Sequence, residues 1–421
     1  MPVPGAWGDE FLVNIVTAGA QISPVIAALA DGRFAVAYTD FSQTTGYGFT
    51  DRSDSAVRVQ VFNSDGSASS GPVQVNTVTT FYQQAPRIAP TADGGFVVAY
   101  TDLSSGWDSY DDDIWAEAIR MQRFTADAEK LGQETRVNTT VYGDQDHPSI
   151  ALLETGQFIV AWDDGYWDVD ENVRAQVFNA DGSFSGAEFQ VNDDATGSQT
   201  GSDIAALPGG GYVVIWTDGS GADGDAGGIR ARMFNAAGTP TTPDMAVNTT
   251  TTGDQYEASV TALAGGGYVV VWTDNSRGAE TGDDMSSYAL RAQVFDATGQ
   301  KLGGEFLVNQ ITTWGQVQPE VMALDDGGFV VAWSDTSMGT ESGGDDPEYG
   351  AIRARLFNAD GTPACDEFLV NTTTTGHQNE PQIAQLEDGR VVFTWTDFSY
   401  GVDTGGDDVS QGAIRARILD L

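Results

Sequence analysis

The sequence predicts an all-β fold: a seven-bladed β-propeller with four antiparallel strands per blade. Three observations predict it. A unit of 54 to 62 residues recurs seven times along the 421-residue chain. Its polar and aromatic landmarks keep fixed offsets in every copy. The chain also stops after the third strand of a unit and starts on the fourth. Periods of this size mark propellers and solenoids, whose repeats bury their apolar faces only against one another.

Each copy opens on a Val-Asn pair, ending at Asn14, Asn76, Asn138, Asn192, Asn248, Asn309 and Asn371. Seven residues later stands Gln21, Gln83, Gln145, Gln199, Gln255, Gln316 or Gln378. Seventeen further on is a large aromatic, Tyr38, Tyr100, Trp162, Trp216, Trp272, Trp333 or Trp395. Two beyond that comes Asp40, Asp102, Asp164, Asp218, Asp274, Asp335 or Asp397.

Short alternating segments after the Gln, such as Pro24–Leu29 and Pro381–Leu386, read as a first strand. A turn such as Asp31-Gly32 or Gly265-Gly266 follows. The second strand, as in Gly328-Phe-Val-Val-Ala-Trp333, is apolar on both faces and therefore covered on both. The third opens on Arg58, Arg120, Arg174, Arg230, Arg291, Arg353 or Arg415. A fourth, such as Glu367–Val370, leads into the next Val-Asn.

Third strand Ile414–Ile418 lacks a successor and fourth strand Glu10–Val13 lacks a predecessor, so pairing them closes the ring and removes its open edges. The blades span approximately 21–76, 83–138, 145–192, 199–248, 255–309, 316–371, and 378–421 joined to 9–14.

Composition narrows the function. Sixty-one acidic against 19 basic side chains give a net charge of −42, which repels nucleic acid and anionic lipid. No apolar run approaches the roughly 18 residues of a membrane span, so membrane insertion is not expected. Cys365 is the only cysteine, which excludes an intrachain disulfide. The first residues show neither a basic nor an apolar leader region, so no Sec signal is visible.

All length variation falls between the Asp that ends the second strand and the Arg that opens the third: 18, 18, 10, 12, 17, 18 and 18 residues. Variation confined to one loop type maps to one face, often the binding face. Acids recur there in order: Asp108, Glu280, Glu341 and Asp403, then Asp112-Asp113, Asp283-Asp284, Asp345-Asp346 and Asp407-Asp408. Blade 3 carries Asp168 and Asp170 in a compressed version.

With Asp102, these carboxylates form the candidate metal set, because Ca2+ takes six to eight oxygens at flexible geometry. The competing reading is a solvated acidic face. Trp107, Tyr110, Trp115, Tyr166 and Trp167 in the same loops, with Trp314 in an Asn-to-Gln turn, are candidate sugar-stacking platforms or loop packing.

The repeated Asp and Arg predict an ion pair in each blade, and the Asn and Gln amides predict bonds to loops and neighbouring blades. His147 and His377 are assigned to the turns entering blades 3 and 7, too far apart for a shared triad or zinc site.

The motif E-F-x-V-N-T-T-T-x-G-x-Q-x-x-P-x-I-A-x-L-x-D-G-G-F-V-V-x-W-x-D, with I-R-A-R-x-F-N-A-D-G, resembles a repeat of large secreted bacterial RTX-type, adhesin-like proteins. That resemblance implies an extracellular or cell-surface, calcium-rich setting and a binding role, although the chain has no RTX nonapeptides. The resulting expectation is a non-enzymatic module binding a surface polysaccharide or protein through Ca2+-ordered loops. The alternatives are a polysaccharide-cleaving enzyme using paired carboxylates, and a docking part of a larger assembly.

Overall fold

The computed structural model describes residues 5–42, 54–104, 117–166, 169–222, 224, 227–278, 287–337, 350–401, 408 and 411–421. They form seven antiparallel sheets, six of them with their strands in chain order from the axis outward. In blade 1 these are Gln21–Ala28, Phe34–Asp40, Ala56–Phe62 and Val73–Gln74. In blade 7 the chain supplies Gln378–Gln385, Val391–Asp397 and Ala413–Asp420. The outer position there is taken by Phe11–Leu12, with Phe11 opposite Ala416 and Leu12 opposite Arg415, as the termini predicted. Gly5–Ala6 adds a second short pairing to the far end of the same strand.

Packing explains why seven such small sheets are stable. The described residues form seven apolar clusters, and each is shared by two adjacent blades. One joins Val57 and Val59 of blade 1 to Phe96 and Tyr100 of blade 2. Another crosses the seam, joining Ile414 and Ile418 to Phe34 and Tyr38. The continuously apolar second strands lie at these interfaces, and Trp162, Trp216, Trp272, Trp333 and Trp395 are fully buried. Each such side chain contributes about 2–3 kcal/mol by burial. No blade could keep that contribution alone.

The invariant polar residues stitch the same interfaces on one face. Asn76 follows the outer strand of blade 1, and its Oδ1 accepts from the Val57 N–H at 3.1 Å. Its amide nitrogen donates to Gln83 of blade 2 at 3.2 Å. Gln83 donates to Asp102 at 3.0 Å, and Arg120 donates from Nε to the other Asp102 oxygen at 2.5 Å. Arg58–Asp40 and Arg291–Asp274 repeat the pair with about 1% of each side chain exposed. The predicted ion pair and amide bonds are thus present.

A further partner is the Glu of the E-F-x-V-N phrase. Glu188 accepts from Arg174 at 2.9 Å and from the Thr139 N–H of the preceding blade at 2.6 Å. At the seam Glu10 does the same for Thr372, at 2.9 Å.

Two differences from the sequence reading matter for function. The first strand begins at the Gln, not after it, and carries a bulge at its start. In blade 3 the shortened loop becomes an extension of Phe158–Tyr166 and Val169–Phe178, with Tyr166 paired to Val169.

Candidate active site in the axial cavity

In every blade the pairing of first and second strands slips just after the Gln: between Ile22 and Val25, Gln84 and Arg87, Asp146 and Ser149, and so on round the ring. The residue two after the Gln takes left-handed backbone. Ser23, Ala85, His147, Glu257, Gln318 and Glu380 have φ between 47° and 56°, and Gly201 has 64°. Such backbone costs a non-glycine residue of order 1–2 kcal/mol. That it recurs in six non-glycine blades marks a conformation that the fold imposes. The bulge re-aims side chains, here those two and four residues after the Gln. They converge on the axis and line a cavity of about 640 Å³ that inner strands of all seven blades share. This volume lies within the usual range for ligand pockets, roughly 300–1,000 Å³.

The rim is a relay. Gln318 donates its N–H to Glu257 at 3.1 Å, Glu380 to Gln318 at 3.3 Å, and Ser23 to Glu380 at 3.0 Å. A hydroxyl on the second strand of six blades stands behind: Thr273, Ser334 and Thr396 donate to Glu257, Gln318 and Glu380 at 3.3, 3.0 and 2.9 Å. The equivalent residues elsewhere are Thr39, Thr101 and Thr217. Blade 3 alone has a carboxylate there, Asp163, which accepts the Gly201 N–H at 2.9 Å.

One layer deeper sit Arg87, Asp203, Ser259, Glu320 and Gln382. Asp203 accepts two backbone N–H bonds, from Val260 and Ile204, both at 2.9 Å. These favour its ionised form against the burial that pushes its carboxyl up. Glu320 receives only longer side-chain bonds, from Gln382 at 3.3 Å and Ser259 at 3.5 Å. Burial, and next the charge of Asp203, push its carboxyl up to about 8, with Arg87 opposing. The cavity therefore holds two carboxyls in unlike surroundings, and Glu320 keeps the proton at neutral pH.

On the blade 3 side, His147 Nδ1 lies 3.2 Å from Asp146 and 3.7 Å from Asp163. Burial pushes Asp163 up to about 7. Burial, then Asp146 and Asp144, push Glu117 up to about 7. His147 does not belong to the entry turn to which the sequence reading assigned it. It occupies the bulge itself and lines the cavity.

The sequence-derived candidates are distributed differently. Trp107, Asp108, Tyr110, Asp112, Asp113, Trp115, Trp167, Asp168, Glu280, Asp283, Asp284, Glu341, Asp345, Asp346, Asp403 and Asp407 lie outside the described residues. Asp102 is one of the Arg-bonded carboxylates at the blade interfaces. Asp170 is exposed and accepts the Gly197 N–H of blade 4 at 2.8 Å. Asp408 is buried and accepts from Asn14 at 2.7 Å, across the seam. Tyr166 extends the blade 3 hairpin. Trp314 is 57% exposed, on the turn before Gln316.

The described ends of the variable loops do share a face with the Asn-to-Gln turns, since Phe41 N–H bonds Ala20 and Phe398 N–H bonds His377. The rim residues Ser23, Glu257, Gln318 and Glu380 line the cavity two residues after the Gln that closes each of those turns.

No family model matches the chain, and no curated protein matches its sequence. The resemblance to secreted RTX-type proteins is therefore supported in its propeller architecture alone. Among solved structures, a protein of unknown function from Dyadobacter fermentans superposes with a TM-score of 0.57 at 11% identity, over all of both chains. The NanB sialidase of Streptococcus pneumoniae does so at 0.51 and 10% identity, over all of this chain and 71% of that one. A Penicillium chrysogenum α-L-arabinanase complexed with arabinobiose gives 0.49 at 14%, over 80% and 93%.

These likenesses establish the fold and transfer no catalytic residue. They do correct one expectation: the sialidase that shares this fold is an enzyme, so the fold gives no ground for reading the chain as a non-enzymatic binding module.

Proposed function

We propose that the chain is a glycan-cleaving enzyme whose reaction takes place in the axial cavity. The observation that supports this most directly is the pair Glu320 and Asp203. Glycoside cleavage needs one carboxyl that is protonated, to donate to the leaving oxygen, and one that is ionised, to act on the opposite side. Unlike surroundings that separate two such groups define the assignment. Glu320 is the proton donor, and Asp203, held by two backbone N–H groups, is the second carboxylate.

Glu257 and Glu380 at the rim accept bonds from sugar hydroxyls. Among the described residues, Arg87 is the only basic side chain lining the cavity besides His147. Against a net charge of −42, that favours a neutral polysaccharide over an acidic one.

The test is turnover on a panel of neutral and acidic polysaccharides, followed as reducing-end release. Glu320→Gln and Asp203→Asn should each lower kcat by about 10²–10⁴, and wild-type activity should fall above about pH 8 as Glu320 loses its proton. Turnover that survives both substitutions unchanged would exclude this site.

A further inference from the structure

We propose that Asp146, His147 and Asp163 form a site for one divalent cation of the zinc class on the blade 3 rim of the cavity. The site is distinct from the Glu320–Asp203 pair, and the assignment does not depend on the glycan-cleaving reading.

Geometry comes first. One ligand atom from each of the three residues lies within 4.8 Å of the others, and the His147 distances are 3.2 and 3.7 Å. Ligand atoms at 2.0–2.1 Å around a tetrahedral Zn2+ stand about 3.3 Å apart, so small side-chain shifts would close the set on an ion.

The second observation is independent. Asp163 is 3% exposed; its Oδ2, the oxygen 3.7 Å from His147, accepts the Gly201 N–H, and its Oδ1 has no hydrogen-bond partner among the described residues. A buried carboxylate oxygen left bare is costly unless a ligand takes it. The position makes the point sharper, because the other six blades place Thr or Ser there. The framework accepts a hydroxyl at this point, and blade 3 alone replaces it with a carboxylate, beneath the only histidine among the seven bulge residues.

Charge agrees. Glu117 and Glu171 stand close enough to Asp146 for its charge to act on both carboxyls, and Asp144 adds to the same effect. A doubly charged ion would relieve that repulsion.

A nitrogen donor with two carboxylates suits Zn2+, Co2+ or Mn2+ better than Ca2+, which prefers oxygen alone. Three protein ligands leave a coordination position facing the cavity, the arrangement of sites that bind water or a substrate oxygen.

The experiment uses the full chain, stripped with chelator and dialysed, in calorimetric titrations with Zn2+ and separately with Ca2+. Asp163→Thr and His147→Ala install residues that sibling blades carry at those positions, Thr101 and Ala85, so both variants should melt like the parent. One Zn2+ should bind per parent chain, and either variant should lose that saturable binding. Equal Ca2+ should fail to displace it. A Zn2+ isotherm that neither variant alters, the absence of saturable uptake, or displacement by equal Ca2+ would each overturn the assignment. Co2+ bound to the parent protein gives a reading that needs no variant: strong visible absorption of a four-coordinate site is expected, and the weak absorption of six-coordinate Co2+ would overturn it.

Discussion

Replacing Glu320 with Gln should make the protein more stable at alkaline pH, not less. The wild-type carboxyl titrates near 8 in the folded chain against an ordinary value of 4.5. The unfolded chain therefore gives up this proton first as pH rises. Between about 4.5 and 8 the folded state binds more protons than the unfolded one, so stability falls with pH across that window and levels off above it.

At about 1.4 kcal/mol per pH unit, the full gap corresponds to about 5 kcal/mol. The cavity is open to solvent, which screens the charge, and part of the shift comes from repulsion by Asp203. About 2 kcal/mol is therefore the expected destabilisation of the wild type between pH 5 and pH 9 from this group. Glutamine keeps the shape and never ionises, which removes that slope.

The assay is urea denaturation of both proteins at pH 5, 7 and 9, with the difference between midpoints compared at each pH. Glu320→Gln should gain on the wild type steadily from pH 5 to pH 9. Curves that stay parallel would mean that Glu320 is already ionised at neutrality, and the proton-donor assignment would fail with them.

Two further predictions concern the frame. Arg58→Ala leaves Asp40 buried without its cation and should cost about 3–5 kcal/mol, whereas Arg33→Ala removes exposed pairs with Asp31 and Asp127 and should cost under about 1 kcal/mol; equal losses in denaturant would contradict the structural role of the repeated pair. Deleting residues 1–14 uncovers the edge of Ala413–Asp420 and removes Asn14 from Asp408 and Ile414. The product should melt earlier and self-associate through the bare edge in sedimentation; a monomer with the parent's melting temperature would show that the seam contributes little.

The frame was legible because its landmarks do not vary. Trp333 and its counterparts, the Asp two beyond them and the Arg of the third strand are required by blade-to-blade packing, and their constant spacing is visible in a single chain. The candidate site was hidden by the same regularity. Its residues sit at constant offsets too, but their identities change: Ser23, Ala85, His147, Gly201, Glu257, Gln318 and Glu380.

The missing piece was the bulge. A strand of strict period two would alternate its faces without interruption, and nothing in Gln255-Tyr256-Glu257 announces that Glu257 takes left-handed backbone and turns to the axis. One signal was available. At the hydroxyl position of the second strand, Asp163 replaces the Thr or Ser of six siblings, and departure of one copy from an otherwise constant column marks the blade with a separate task.

The pairing of Gly5 with Asp420 has a practical meaning. The third strand of blade 7 starts beside Gly412, whose carbonyl accepts the Gln21 N–H on the face of the Asn-to-Gln turns, and runs away from that face, so Gly5 and Asp420 lie together on the rear of the disc. Cargo, a surface or a further domain attached to either end would hang behind the wheel, and the opening would face outward, free to meet a bulky polymer.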